Sequence, residues 1–398
     1  MILVSLLLFA GAAVGLSLYL IQLVSVWRHL REPRRVPSCW PGISILKPLC
    51  GLDDDLEKNL ERFAQLDYPD YELVLGVRSR RDPAWELARA TAARFPGRVR
   101  VVLQRGEPGC NPKVNQLITL AAAARHAILV VSDSNVTVER GYLSEIAAHL
   151  DDATVGLVTH PVVGIGEQRI GSLMDNLHLA GSVGAGMVGA KRVARKDVVV
   201  GKSMALRRAD LQALGGFEAV ADVLAEDFIL GKMIRSRLGK RVAMAGCTVQ
   251  NVSRDRSTLD FLRRYRRWSV IHRQAVGPAV YAAQFLLNPL AVALLAFGAH
   301  PTMITLGGLG AFGAIKIGYD AAALRTMRGH VPLLALIASP AKDLLLAVAW
   351  VHGLLNEEVD WRSNKLRVGA GTVLTRVPRS YAGVVLTSPR GWYITRTR

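Results

Sequence analysis

Asp133 and Asp227 are the two carboxylates whose neighbours in the chain invite chemistry. Asp133 opens Asp133-Ser134-Asn135, just after the apolar run Ile128-Leu129-Val130-Val131. A carboxylate leaving a buried strand can hold a divalent ion on a diphosphate, because Mg²⁺ and Mn²⁺ take oxygen ligands and substrate phosphates. Asp and Asn are also ordinary turn and cap residues, so residue type leaves both readings open. Asn135 stands where a second carboxylate would help. Glu226-Asp227 precedes Phe228-Ile229-Leu230, and the apolar spacing continues through Met233 and Ile234. Acids at that place favour a helix N-terminus. One of them can equally take a proton from a hydroxyl as a general base.

Two basic motifs accompany the acids. Asn111-Pro112-Lys113 combines an N-cap residue with proline at the first helical position. A helix N-terminus with Lys113 beside it favours a phosphate. Gly106 and Gly109 let the backbone come near a ligand there, but their spacing is not that of a P-loop. Arg264-Tyr265-Arg266-Arg267-Trp268 reads as a basic interfacial helix with tryptophan at headgroup level. If Arg267 faces inward, it can neutralise a diphosphate leaving group, and Trp268 can wall an apolar pocket.

These motifs need a scaffold, and the chain spells one out. Strands are expected at 43–48, 71–77, 99–103 and 127–131, with helices at 55–66, 82–95 and 111–125 between them. Alternation at this spacing implies parallel crossovers and an open α/β sheet. Ligands of such sheets sit beyond the carboxyl ends of the strands, which is where Asp133 falls.

Apolar segments flank this core. Residues 1–27 form a stretch long enough to anchor in a bilayer, and the basic run Arg28, Arg31, Arg34, Arg35 places the next part of the chain in the cytoplasm. Further apolar stretches lie at 277–297, around 303–317, and at 331–355, the last interrupted by Pro340-Ala341-Lys342-Asp343. Two full crossings are favoured, with 331–355 broken or interfacial. The Lys342-Asp343 pair then pairs internally or marks a re-entrant bend. The expected domains are an anchor (1–27), a catalytic unit (36–275), membrane segments (277–355) and a basic cytosolic tail (356–398).

Composition narrows the class. The chain has 398 residues, 51% hydrophobic and 21% charged, a mixture that fits a water-facing domain joined to membrane segments. Lys and Arg exceed Asp and Glu by 50 to 32, giving +18, with much of the excess beside apolar stretches. That placement points to anionic lipid headgroups. No recognition-helix or RNA-binding signature accompanies it, so no nucleic-acid partner is expected. Cys39, Cys50, Cys110 and Cys247 have no zinc-ligand spacing and read as reduced thiols.

Taken in order, the motifs resemble the ceramide glucosyltransferase family, among the inverting glycosyltransferases of GT-A fold. The similarity runs from about Leu46 to Trp268 and is weaker around Trp361-Arg362. Leu46-Lys47-Pro48-Leu49-x-Gly51, Leu66-Asp67-Tyr68-Pro69, Asn111-Pro112-Lys113-Val114-Asn115, Gly201-Lys202-Ser203-Met204 and Arg264-x-x-Arg267-Trp268 carry it. The resemblance implies an α/β cytosolic domain of GT-A fold, a Rossmann-like open mixed sheet, with an N-terminal transmembrane helix and C-terminal membrane helices. It implies a UDP-sugar donor, most simply UDP-glucose, a lipid acceptor, most simply ceramide, and Mg²⁺ or Mn²⁺ held by Asp133. Asp82 would contact the uridine side, and Lys113 would lie near the nucleotide. Asp227 would be the base, and Arg264, Arg267 and Trp268 would complete the donor and acceptor pocket. Arg81 precedes Asp82 where relatives often carry an acid, and the stretch from Gly164 to Val199 departs from the family. The acceptor therefore stays open between ceramide, a hopanoid and diacylglycerol. The sugar stays open between glucose, galactose and N-acetylglucosamine. A nucleotide- or lipid-binding membrane protein is the non-enzyme alternative. A processive polysaccharide synthase would need more crossings. The catalytic unit is expected on the cytoplasmic face of a membrane, that of a bacterial inner membrane.

Overall fold

The computed structural model describes residues 1–361 and 364–376. Helix α1 (Ile2–Leu30) precedes strand β1 (Ile43–Leu49), and the next units alternate: α2 (Leu56–Ala64), β2 (Tyr71–Val77), α3 (Ala84–Arg94), β3 (Val99–Leu103), α4 (Pro112–Ala123) and β4 (Ile128–Ser132). The four strands pair in parallel in the order β3-β2-β1-β4. Alternate side chains feed two cores. Ile43, Ile45, Leu73, Leu75 and Val130 pack on one face, while Leu46, Val74, Leu129 and Val131 pack on the other. Burial on both faces is why these strands read as continuous apolar runs.

The chain then turns mixed. Strand β5 (Val136–Thr137), helix α5 (Tyr142–Leu150), strands β6 (Val155–Thr159) and β7 (Val162–Ile165), helix α6 (Ile170–His178), a π-helical turn (Leu179–Gly184) and helix α7 (Ala185–Arg192) lead to β8 (Ser203–Arg207). Helices α8 (Arg208–Ala213) and α9 (Glu226–Leu238) and strands β9 (Arg241–Met244) and β10 (Val249–Val252) come next. The main sheet runs β3-β2-β1-β4-β8-β6-β9, with β8 antiparallel to both neighbours. A small second sheet, β5-β10-β7, sits beside it. The β4–β8 register pairs Ser132 with Ser203. The next residue of each strand's outward path is then Asp133 on one side and Lys202 on the other, so the reversed strand brings a lysine to the acid.

Helix α10 (Thr258–Val276) starts with a capping box in which Ser257 and Asp260 bond reciprocally. Beyond it lie α11 (Pro278–Ala283), α12 (Pro289–Ala299), α13 (Met303–Arg328) and α14 (Leu334–Leu355). Among the described residues, α1 and α14 are long and apolar enough to cross a membrane. The stretch expected as one crossing at 277–297 is instead broken, with its halves bent by 82°. The break has a local cause. Pro289 lacks an N–H and disfavours helix at the preceding residue, and Asn288 caps the new helix by accepting from Ala291 N.

The opposite correction applies to 331–355. Its Pro340 lies inside an unbroken helix. The charges are answered within the protein. Lys342 Nζ pairs with Asp343 Oδ1 and lies 3.2 Å from Asp320 Oδ2. Lys316 Nζ closes the square at 2.7 Å from Asp320 and 3.2 Å from Asp343. All four side chains are buried.

The segment expected as a basic tail also differs. Strands β11 (Glu358–Trp361), β12 (Asn364–Val368) and β13 (Leu374–Arg376) form an antiparallel sheet. Val359, Leu366, Val368 and Leu374 give it a small core with Leu224 and Val270. Alternation of these apolar residues with charged ones is the physical reason it folds. Arg362 and residues 377–398 lie outside the described residues. The four cysteines form no disulfide among the described residues.

Candidate active site

A cavity of about 1350 Å³ opens at the carboxyl ends of β1 and β4 and runs to α10 and α11. It collects Lys113, Asp133, Asp227, Arg264, Arg267 and Trp268 from distant parts of the sequence. Asp82, the remaining site residue expected from the sequence, is not in its wall. The Asp82 Oδ1 accepts from Gly51 N at 2.9 Å and from Ala84 N at 2.9 Å. It therefore pins the loop after β1 and starts α3. The cavity wall near that loop is made by Pro48, Leu49, Cys50, Asp53 and Arg78.

Asp133 is built in from below. Lys47, fully buried, donates from Nζ to the Asp133 carbonyl at 2.7 Å and to Ser132 Oγ at 3.3 Å. Its ammonium also lies 3.7 Å from the centre of the Phe63 ring. Ser134 donates to the Asp53 carboxylate. The Asp133 carboxylate faces two lysines, Lys113 Nζ at 2.9 Å and Lys202 Nζ at 3.6 Å. Burial alone would raise its pKa, but Lys113 and then Lys202 outweigh that and hold it down at about 2. Burial pushes Lys202 down to about 8 against the opposing pull of Asp133.

Lys113 reaches the site because Asn111 makes a true N-cap. The Asn111 Oδ1 accepts from Lys113 N at 2.9 Å and Val114 N at 3.2 Å. Lys113 Nζ then bridges Asp133 and Glu226, each at 2.9 Å. The acid after β4 and the acidic pair at α9 are thus joined through one ammonium.

Asp227 sits in the first turn of α9. Its carboxylate accepts from Phe228 N at 2.7 Å and from Gly201 N. Burial, then the neighbouring Glu226, push its pKa up to about 7, while Lys113 and the two backbone N–H groups pull the other way. Gly201 leaves room for this approach. A Cβ there would stand 2.6 Å from Lys113 Nζ and 3.0 Å from Asp227 Oδ2.

The third side is helix α10. Arg264, Arg267, Trp268, Ile271, His272, Ala275 and Val276 recur at three- and four-residue spacing along the cavity wall. The stripe is cationic at its start and apolar at its end, across about 18 Å at ~1.5 Å per residue. Arg264 is oriented by buried Asp175, which lies 3.3 Å from Arg264 Nη1 and accepts from Tyr265 OH at 2.7 Å. Its guanidinium stacks 4.9 Å from the Trp268 ring centre.

Sequence reasoning missed Lys47, Lys202, Asp53 and Asp175 as functional positions. Lys47 and Lys202 stand inside family-like motifs, where a lysine among apolar strand residues was the available signal. Asp175 lies in the stretch that departs from the family and carried none.

The family model for glycosyl transferase family 21 matches residues 7–374. The chain belongs to that family. This family 21 glycosyltransferase is 26% identical over 393 residues to ceramide glucosyltransferase 1 of Caenorhabditis elegans, covering 92% of this chain and 81% of that one. It is 29% identical over 204 residues to a ceramide glucosyltransferase of Komagataella phaffii, covering 46% of this chain and 40% of the relative. Among solved structures, the mannosyltransferase PcManGT from Pyrobaculum calidifontis, in complex with GDP-Man and Mn²⁺, superposes with a TM-score of 0.55 at 21% identity. That match covers 86% of this chain and 99% of that one. The likeness establishes the GT-A fold for the family 21 enzyme.

Proposed function

We propose that this glycosyltransferase moves glucose from UDP-glucose onto the hydroxyl of ceramide at a cytoplasmic membrane face, with inversion at the anomeric carbon. One observation carries the reading. A single cavity joins a charged end at Lys113, Asp133 and Asp227 to an apolar end at Ile271, Ala275, Val276 and Val280. Its volume exceeds the range of ~300–1,000 Å³ usual for one small ligand. A nucleotide sugar fills the first end and a lipid headgroup with its chains the second.

The donor lies against the strand ends. Its base meets Pro48, Leu49 and Arg78, beside Gln116. Gln116 braces this wall, its Nε2 donating to Leu49 O at 3.0 Å. Asp82 serves the same end through the Gly51 loop. Lys113, Lys202, Arg264 and Arg267 surround the diphosphate, and charge building on the departing UDP is stabilised there.

A divalent ion fits one way only. Among the described residues no three His, Cys, Asp or Glu side chains group to hold a metal by themselves. Asp133 offers one ionised carboxylate, and a hard cation carried by two phosphates needs one or two. Asp133 would therefore hold Mg²⁺ or Mn²⁺ that arrives with the nucleotide. When bound, the ion adds positive charge on the leaving diphosphate.

Asp227 takes the acceptor proton. A base is most effective with a pKa near the working pH, and burial has moved this carboxyl there. The hydroxyl attacks the anomeric carbon, the bond to UDP breaks, and the proton ends on Asp227. Release of UDP from UDP-glucose, in detergent with and without ceramide, tests the reading. Release that depends on ceramide supports it. Release that depends instead on diacylglycerol or a hopanoid replaces the acceptor while leaving the donor half intact.

A further inference from the structure

Gly371 and Thr372 adopt left-handed backbone, with φ of +67° and +60°. For a β-branched residue this is a genuine outlier. Thr372 is also fully buried and contributes nothing to the cavity wall. Such a conformation persists only where its surroundings over-determine it, and it points to a role.

Its surroundings are the residues that lead into Asp227. The Thr372 carbonyl accepts from Leu224 N at 2.9 Å, and its hydroxyl accepts from Ala225 N at 3.2 Å. Leu374 N donates to Asp222 O at 2.7 Å, and Val373 bridges Val223. The opposite edge of the same short segment is held by the loop before α4. Asn111 N donates to Ala221 O at 2.9 Å, Asn111 Nδ2 to Val223 O at 2.6 Å, and Cys110 N to Asp222 Oδ1 at 2.7 Å. Residues 221–225 are therefore gripped from both sides. Ala225 itself is not helical, with φ −97° and ψ 60°, so the grip sets the angle at which α9 begins.

We propose that Thr372 is a positioning residue for Asp227: the C-terminal sheet, through the Thr372 hydroxyl and carbonyl, fixes the first turn of α9 and so the place of the base. The inference rests on Asp227 as the base. In this left-handed conformation Thr372 turns both its carbonyl and its hydroxyl toward Leu224 and Ala225. Without the hydroxyl, the half-buried Ala225 N–H loses its protein partner beside the cavity, and the turn that carries Asp227 shifts.

The test compares Thr372→Val, Thr372→Ser and Asp227→Asn in the full-length protein in detergent, at matched melting temperature. Thr372→Val is expected to lower kcat by about 10²-fold, the scale of a ~1 Å misplacement, with the KM for UDP-glucose within about twofold. The acid limb of its pH–kcat profile moves to lower pH, because a loosened turn admits water and relieves the burial that raises Asp227. Thr372→Ser keeps the hydroxyl and restores kcat to within about threefold of wild type. If Thr372→Val does not fold, Thr372→Gly, which removes the hydroxyl and the backbone strain together, takes its place with the same expected loss. Wild-type kcat and an unmoved acid limb in a folded hydroxyl-free variant overturn the proposal. If Asp227→Asn is inactive in that case, the base survives and only the positioning role falls. If Asp227→Asn turns over normally, the base assignment itself has failed.

Discussion

At the scale of single residues, the site is a contest between burial and lysines. Asp133 and Asp227 are both half-buried in the cavity wall, yet their pKa values move in opposite directions because Lys113 and Lys202 face the first and Glu226 adjoins the second. Asp227→Asn is expected to lower turnover by ~10²–10⁴-fold while leaving UDP-glucose affinity within a few fold, measured by calorimetry beside a rate assay. In the proposed reaction Asp227 works ionised, so kcat should rise with pH through about 7, the pKa to which burial and Glu226 push it. Glu226→Gln removes a negative neighbour that raises Asp227, so the acid limb should move to lower pH, and a limb that moves up would contradict this electrostatic coupling. Gly201→Ala should cost activity more than folding, since the added carbon meets the Lys113 ammonium and the Asp227 carboxylate rather than core. Asp133, Asp227 and Lys113 were legible because each sits at the end of an element that the apolar pattern marks. The Lys113 bridge between Asp133 and Glu226 was not, because it depends on how α4 and α9 pack across the end of β4.

At the scale of elements, α10 joins the charged end of the cavity to its apolar end. Its cavity stripe changes from Arg264 and Arg267 to Ala275 and Val276 within one helix, so in the proposed reaction a single rigid rod orders charged donor and apolar acceptor. Val276→Asp should therefore raise the KM for the lipid at least about tenfold and leave that for UDP-glucose unchanged, since a carboxylate in an apolar wall costs several kcal/mol unless paired. Asp175→Ala leaves Arg264 without its buried partner and is expected to lower stability by about 3–5 kcal/mol, read from denaturant or thermal melts. The parallel half of the sheet was readable from strand–helix alternation. The mixed sheet implied by the family resemblance holds, but local pattern did not place the reversed strand β8, because antiparallel insertion is decided by pairing across the sheet. The broken stretch at 277–297 escaped for a different reason: hydropathy averages over Asn288-Pro289, although that dipeptide is itself a local breaker.

At the scale of the whole molecule, the enzyme is a sheet domain welded to apolar helices at both ends of the chain. Tyr19 of α1 donates to Leu287 O at 2.6 Å and lies under Lys316 of α13, whose ammonium is 4.8 Å from its ring centre. Lys316 belongs to the closed square with Asp320, Lys342 and Asp343, which makes the charged interruption of α14 a tie between helices. Lys316→Met alone should destabilise the protein by about 3–5 kcal/mol, and adding Asp320→Leu should recover much of that, because a neutral Lys342–Asp343 pair remains. A melting series in detergent decides it. The sequence showed that Lys342-Asp343 needed an internal answer, but its partners lie on another helix and no local pattern names them. The last described segment obeys the same logic: alternating apolar residues were present, while the surface they cover near Asp227 exists only in the folded chain. The most direct test of the function is product analysis by mass spectrometry, with the purified full-length enzyme given UDP-glucose, UDP-galactose and UDP-N-acetylglucosamine against ceramide, diacylglycerol and a hopanoid. Glucosylceramide is expected from the UDP-glucose and ceramide pair, and none with Asp227→Asn. A folded enzyme that forms no glycosylated ceramide from any donor, or an Asp227→Asn variant that forms as much as wild type, would contradict the proposed function.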